Sequence, residues 1–353
     1  MNPPVMSSAL RLQTAMSHKE ADRVPFLLPT IMQGAKLLGL SIEQYLDSPQ
    51  AVAEGQLRLR EHLRHDAVMG FLSAATEAAA FGADIHYSEN GPPNAGAPSI
   101  KDPRDIDLLP VPEIDDHPGL LKTLEVIKTL ARESNGEFPV MAAVVSPFSL
   151  PIMQMGFGPY IELIYDDQPR FWRLMETNIR FVVRWANAQL EAGATAISYA
   201  DPMSSATVIP PPLFLQTGWV VAQRTLPQIN GPMALSLASG RGLPILKDII
   251  PLGFVGVSAS ILEDLSLVKA QCANKLTVMG NLNGIEMVNW TPEIAQQKVK
   301  QALRDAAPGG GFVLTDNHGE IPWQVPDEVL VAIRDAVEQW GNYPLEWLDE
   351  DSQ

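Results

Sequence analysis

The chain has 353 residues, 46% of them hydrophobic, and a formal net charge of −16. This size suffices for a large core and allows one barrel or two smaller domains. The acidic balance and the lack of any Lys/Arg-rich run argue against nucleic-acid binding, because that affinity depends on neutralising phosphates. The single cysteine, Cys272, excludes an internal disulfide, a cysteine-rich zinc site and an iron–sulfur cluster held by this chain alone.

The N-terminal residues, MNPPV, lack the charged-then-apolar order of a signal peptide. No apolar run approaches the roughly 20 residues that a membrane-spanning helix needs. We therefore predict a cytoplasmic protein with no membrane partner.

Short apolar segments alternate with helical patterns along the whole chain. A helix over residues 6–21 precedes the first predicted strand at 24–30, which contains two prolines and is weakened by them. Further strands are predicted at 67–72, 138–145, 196–200, 232–237, 254–257, 276–279 and 311–315. Helices are predicted at 41–46, 48–62, 119–134, 159–192, 292–306 and 327–340, and others begin near Pro210 and Leu243.

This alternation defines the expected fold class. Continuous apolar strands between helices are typical of a parallel sheet that is buried on both faces. Eight such units predict an α/β fold, a (β/α)8 TIM barrel, as a single domain over residues 1–353. An open doubly wound sheet is the alternative, but no Gly-rich dinucleotide fingerprint follows the first strand. Residues 85–116 are rich in Pro, Gly, Asn and Asp and predict an insertion with a hairpin near 90–93, either a binding loop or a surface decoration.

Polar side chains follow several predicted strands at the point where each strand ends. The clearest case is residues 311–322 (GFVLTDNHGEIP), where an apolar strand runs into Asp, Asn, His and Glu. Glu77 comes shortly after the second strand and Asp201 directly after the fourth. Because a barrel gathers such residues at its C-terminal mouth, we expect one shared pocket. Glu77 could instead begin a helix, and Asp201 could cap a turn.

Five stretches, taken together, resemble the uroporphyrinogen decarboxylase superfamily. They are residues 21–25 (ADRVP), 76–83 (TEAAAFGA), 200–205 (ADPMSS), 280–283 (GNLN) and 318–322 (HGEIP). The resemblance implies a (β/α)8 barrel. It also implies one of two chemistries, which are decarboxylation of uroporphyrinogen and methyl transfer to or from a corrinoid protein.

Departures from the family pattern narrow this choice. The decarboxylases carry an Arg-rich motif after the first strand and an Asp after the second, where this chain has residues 31–36 (IMQGAK) and Ser73. A polycarboxylate substrate needs guanidinium partners, so true uroporphyrinogen decarboxylase is not expected. The coenzyme M methyltransferases hold zinc with His-x-Cys and a later Cys. This chain has residues 236–238 (SLA) and Gly319 there, so a thiol activated by zinc is not expected either.

The resemblance then implies a methyltransferase component that demethylates a small methylated substrate, with an aryl methyl ether favoured. The methyl group would pass to a corrinoid (cobalamin) on a partner protein. Two alternatives stay open, a decarboxylase or lyase acting on a smaller acid and a non-catalytic small-molecule-binding barrel.

The predicted roles follow from the need to neutralise the negative charge that forms on the leaving oxygen. The catalytic candidates are His318 and Glu320 as the proton-donating pair, assisted by Glu77 and Asp201. A metal on His318, Glu320 and Glu77 is a further possibility, although no local ligand spacing indicates one. Candidates for substrate binding are Tyr199, Asn281, Asn317, Ser236 and Met32, and for Tyr199 core packing is the competing interpretation.

Overall fold

Seven parallel strands form the central sheet of the computed structural model, which describes residues 5–350, apart from the side chain of residue 350. The N-terminal residues 1–4, part of the stretch that argued against a signal peptide, lie outside it. Each strand pairs with the next strand of the sheet along the chain. Their bounds are β1 Val68–Met69, β4 Val140–Val145, β5 Ala196–Ala200, β6 Met233–Ser236, β7 Gly256–Ser258, β8 Thr277–Leu282 and β9 Phe312–Asp316.

Residues 24–30 join the two edge strands of this sheet and complete a ring. The N–H of Leu27 donates to the carbonyl of Leu314 in β9 (3.1 Å), and the N–H of Asp66, just before β1, donates to the carbonyl of Phe26 (2.8 Å). The prediction of a regular strand here is wrong, because the two prolines in the segment have no N–H with which to extend a ladder. The predicted TIM-barrel class is confirmed.

Residues next to the ring-closing segment also bind the C-terminal part of the chain, in a contact here called the seam. The N–H of Val24 donates to the carbonyl of Gly341 (2.9 Å), and the N–H of Tyr343 donates to the carbonyl of Asp22 (3.1 Å). The segment after the last long helix is therefore laid against the segment that closes the ring.

Helices surround the sheet, and two of the predicted ones differ from expectation. The first ends at Met16, before His18 turns the backbone into the left-handed region (φ 56°). The predicted helix at 159–192 is two helices, because Asp167 ends one and its side chain caps the next. The longer helices are α1 Ser8–Met16, α4 Pro49–Leu63, α6 Pro118–Ser134, α8 Phe157–Asp166, α9 Gln168–Glu191, α11 Gly218–Thr225, α13 Leu265–Cys272, α14 Pro292–Ala306 and α15 Asp327–Trp340.

Shorter helices lie between these elements. They are α2 Gln33–Leu38, α3 Ile42–Asp47, α5 Ala75–Ala80, α7 Pro151–Met155, α10 Pro211–Gln216, α12 Leu246–Ile249 and α16 Trp347–Glu350. The Pro/Gly-rich insertion contains the predicted hairpin, which is formed by the antiparallel strands β2 (Ile85–Ser88) and β3 (Gly91–Ala95). None of the helices between residues 5 and 350 has both the length and the apolar character of a membrane span.

A buried ionic cluster fastens α1 across the N-terminal end of the barrel. Asp66, which is fully buried, accepts from Arg11 of α1 at 2.5 Å and from Arg23 at 2.8 Å. Arg11 also binds Asp22 at 2.6 Å, and Ser8 donates its hydroxyl to Asp66 at 3.0 Å. The cluster thus joins α1, the ring-closing segment and the residues that lead into β1.

Candidate active site

A cavity of about 260 Å³, here called the mouth cavity, opens at the C-terminal end of the strands. The strand residues that face it are mostly small, whereas barrel interiors are usually filled by bulky branched side chains. Among the described residues that line it there is no lysine and no arginine. Small inward-facing residues include Ala143, Ser198, Ala200, Ala234, Ser236 and Ser258.

The polar side of the mouth cavity comes from the turn after β9. Asp316 is the last residue of that buried strand, and its Oδ2 accepts the N–H groups of His318 (2.8 Å) and Gly319 (3.0 Å). Gly319 has φ +122°, a conformation that L side chains rarely adopt, so the turn depends on glycine there. Burial raises the pKa of Asp316 to about 7.

Glu320 is the second carboxyl group of this turn. Its two oxygens accept the N–H groups of Met32 (2.7 Å) and Ile31 (3.1 Å) from the ring-closing side of the barrel. Burial raises the pKa of Glu320 to about 8, and repulsion from Asp316 acts in the same direction. Both carboxyl groups can therefore hold protons near neutral pH.

His318 lies in the same wall, and Asn317 fixes its orientation. With the Asn317 amide oriented to satisfy its neighbours, its nitrogen donates to Nδ1 of His318 (2.6 Å) and to the carbonyl of Leu282 (3.1 Å). Its oxygen accepts the N–H of Ile261 at 3.0 Å. Burial lowers the pKa of His318, and the charge of Glu286 opposes this only in part. The imidazole is therefore neutral at pH 7, with its proton on Nε2.

Glu77 and Asp201 do not line the mouth cavity, and the prediction that they join His318 and Glu320 there is wrong. Both lie behind its wall because their carboxyl oxygens accept hydrogen bonds from the backbone or the serines around them. The two oxygens of Glu77 accept the N–H of Val145 at 3.1 Å, and burial raises its pKa to about 8. Asp201 sits in a cage of three serine hydroxyls at 2.6–2.7 Å, from Ser146, Ser149 and Ser204.

Three predicted substrate-binding residues also lie outside the mouth cavity. Tyr199 alternates with the inward-facing residues of β5, is fully buried and packs against Phe254. The side chain of Met32 is buried away from the cavity, and only its backbone N–H reaches Glu320. Asn281 lines a separate cleft between β8 and α14. Ser236 and Asn317 do line the mouth cavity.

Asp316 also lines the mouth cavity and is not among the residues predicted from the sequence. It lies inside the polar stretch at 311–322, where the sequence pattern favours His318 and Glu320. Its position as the last residue of a buried strand was the available signal.

The donor set of the mouth cavity does not fit a zinc site of the thiolate type. Ser236, Ala238 and Gly319 line the cavity where the resemblance would require ligands, and they offer neither thiolate nor imidazole. The predicted set of His318, Glu320 and Glu77 is not brought together. Across residues 5–350, no three His, Cys, Asp or Glu side chains are placed so that they could hold an ion.

Replacing Glu77 by glutamine should leave activity near the wild-type level and alter only how stability depends on pH. Folding raises the pKa of this carboxyl from 4.5 to about 8. Its stabilising contribution is thus complete below about pH 4.5 and is lost as pH rises towards 8. Over that range the wild type should lose up to about 1.4 kcal/mol per pH unit relative to Glu77→Gln. Urea unfolding at pH 5, 6.5 and 8 measures this, and parallel curves for the two proteins would contradict it.

Comparison with known proteins places the chain in a family of enzymes. The family described as "Uroporphyrinogen decarboxylase (URO-D)" matches residues 7–340, and the chain belongs to it. One relative is uroporphyrinogen decarboxylase of Alkalilimnicola ehrlichii, 24% identical over 93% of each chain. Another is the methylcobamide:CoM methyltransferase MtaA of Methanosarcina barkeri, 23% identical over 92% of this chain and 96% of the relative.

A solved structure shows the same fold. A methyltransferase from Methanosarcina mazei superposes with a TM-score of 0.82 at 21% identity, covering 95% of this chain and 99% of its own. A B12-independent methionine synthase from Shewanella is more distant, with a TM-score of 0.52 at 12% identity. The predicted membership of the superfamily, with its methyltransferase branch, is confirmed.

Proposed function

We propose that this protein is a methyltransferase component that removes the methyl group of a small neutral methyl ether. An aryl methyl ether is the favoured substrate, and a corrinoid carried by a partner protein is the acceptor. The observation that carries the proposal is the chemistry of the mouth cavity, where burial raises the pKa of two carboxyl groups to about 7 and about 8 and the described lining contains no lysine or arginine.

The absence of lysine and arginine from the described lining of the mouth cavity bears on the choice between decarboxylation and methyl transfer. A substrate carboxylate taken into a largely apolar cavity needs a cationic partner, because an unpaired buried charge is costly. Asp316 and Glu320 would repel such a substrate whenever they lose their protons. A neutral molecule of single-ring size suits both the lining and the volume of about 260 Å³, which is slightly below the usual range of ligand pockets.

The reaction needs a nucleophile for the methyl carbon and a proton for the oxygen that it leaves. A reduced corrinoid supplies the nucleophile. As the carbon–oxygen bond breaks, its electron pair stays on oxygen, and Asp316 donates its proton there so that the product leaves as a neutral phenol or alcohol. Within residues 5–350 the hydrogen bonds to Asp316 all reach Oδ2, which leaves Oδ1 to carry that proton.

The neighbours of Asp316 complete the arrangement. His318 can donate its Nε2–H to the same substrate oxygen, held in place by Asn317. Glu320 keeps its own oxygens on the N–H groups of Ile31 and Met32, and the charge of an ionised Asp316 disfavours ionisation of Glu320. His318 is thus a hydrogen-bond donor in this scheme, and the acidic proton comes from a carboxyl group.

The decisive experiment mixes the protein with a reduced corrinoid protein and a panel of methylated compounds, and follows cobalt methylation by absorbance. We expect methoxybenzene-type substrates to react and their carboxylated counterparts to react much more slowly. Carbon dioxide release without any corrinoid would instead indicate a lyase acting on a smaller acid. Saturable binding with no conversion of any panel member would indicate a non-catalytic barrel.

The rate of methyl transfer should fall as pH rises through about 7. Asp316 must be protonated to act as the acid, and its pKa is raised to about 7. Above that pH the rate constant should drop by up to about tenfold per pH unit. Single-turnover rates between pH 5.5 and 9 measure this. A rate that increases over this range would contradict the assignment of a protonated carboxyl group.

A further inference from the structure

A second cavity lies on the barrel axis at the opposite, N-terminal end of the strands. This floor chamber has a volume of about 440 Å³. The ring-closing segment and all seven strands, or the residues directly before them, contribute to its wall. Six of these eight segments contribute Leu27, Ala67, Met141, Ala196, Val255 and Val313. The other two, β6 and β8, contribute Ala234 and Met279, which line the mouth cavity as well. The two cavities therefore lie at opposite ends of the strands and share Ala234 and Met279 as a common boundary.

Helix α1 covers the floor chamber. Leu12 and Met16 line it from the helix side, and both are partly buried. The helix is held against the barrel by the ionic cluster described above, in which Arg11 binds the buried Asp66 at 2.5 Å. The cover is thus fixed by strong contacts, so the chamber is preformed rather than opened by a ligand.

The lining of the floor chamber indicates what it can hold. No charged side chain lines it among the described residues, and Gln13 and Thr195, both at the exposed edge, are its only polar side chains. Three methionines, Met16, Met141 and Met279, give a surface that adapts to ligand shape. Water inside such a cavity finds few hydrogen-bond partners, and apolar cavities take up molecules such as benzene instead.

We propose that the floor chamber is a binding site for a small, uncharged, apolar molecule of about single-ring size, separate from the mouth cavity. Its volume lies within the range of ligand pockets, and its apolar lining is typical of them. Ligand here would contact Met279 from below, so occupancy would also be felt at the base of the mouth cavity. Binding in the floor chamber does not depend on methyl transfer.

Methionine methyl groups report on the two cavities separately. With ¹³C-methyl-methionine protein and toluene as the probe, we expect saturable shifts for Met16 and Met141, which line only the floor chamber. Met69 lines only the mouth cavity and serves as the internal reference for that site. Saturable shifts at Met69 without shifts at Met16 and Met141, or no saturable shift at all, would overturn the proposal.

A matched pair of alanine replacements tests the location. Ala196 and Ala143 are on adjacent strands at different heights, and each lines one cavity only. Ala196→Leu should weaken toluene binding at Met16 and Met141 by about tenfold or more, whereas Ala143→Leu should leave it unchanged. Leu12→Trp fills the chamber from α1 without altering a strand and should have the same effect as Ala196→Leu. Unchanged affinity in both filling variants would overturn the proposal.

Discussion

Replacing Asp316 by asparagine should slow methyl transfer by about a hundredfold to ten-thousandfold, the range that a positioned general acid contributes. Asparagine has the same shape, and its amide oxygen can still accept the N–H groups of His318 and Gly319 that now bind Oδ2. Only the acidic proton is lost. The fall should therefore appear in kcat with little change in KM, and single-turnover absorbance of the corrinoid measures it.

Glu77→Gln is the matched control for that variant. It makes the same acid-to-amide change at a carboxyl whose pKa burial also raises, but behind the cavity wall. The decline in rate above pH 7 should disappear in Asp316→Asn and persist in Glu77→Gln. Should Asp316→Asn react at the wild-type rate, the proton must come from another group and the assignment is wrong.

Replacing Asp66 by alanine should destabilise the fold by about 3–5 kcal/mol, because it leaves Arg11 and Arg23 without their buried carboxylate. Asp66 is fully buried and also accepts the N–H of Phe26 at 2.9 Å. The change therefore loosens α1 and the ring-closing segment together. Urea unfolding followed by circular dichroism measures the loss.

The exposed pair of Arg64 with Glu338 is the control for Asp66→Ala. Both side chains are more than a third exposed, so Glu338→Ala should cost no more than about 1 kcal/mol. Similar losses for the two variants would show that burial does not set the strength of the cluster.

The layered architecture could be predicted because each apolar strand and the helix after it bury a surface that their local sequence already encodes. The capped helix beginning after Thr291 and the helix at 327–340 lie where the pattern placed them. The segment at 24–30 could not be predicted in full, because its place in the ring depends on distant partners. These are Leu314 in β9 and Asp66 before β1.

The site was harder to predict than the fold, for a physical reason. A polar residue at a strand end can point into the cavity or turn behind its wall. The outcome depends on which neighbouring groups form hydrogen bonds with its side chain. Asp201 is held by three serine hydroxyls, and Glu77 by the N–H of Val145, so both carboxyl groups turn away from the cavity. For residues 316–320 the sequence was sufficient to mark the location but did not distinguish Asp316, the acid that we propose, from its neighbours.

The seam between the two ends of the chain has a consequence for how the protein is made. The backbone hydrogen bonds that Val24 and Asp22 form with Gly341 and Tyr343 cannot form until residues 341–343 have left the ribosome, long after residues 22–24. The ring itself closes only when the segment at 24–30 binds Leu314 of β9, and until then the sheet has open edges, which are prone to pair with other chains. The nascent chain therefore passes through an unclosed sheet, a state in which chaperones would protect it from aggregation.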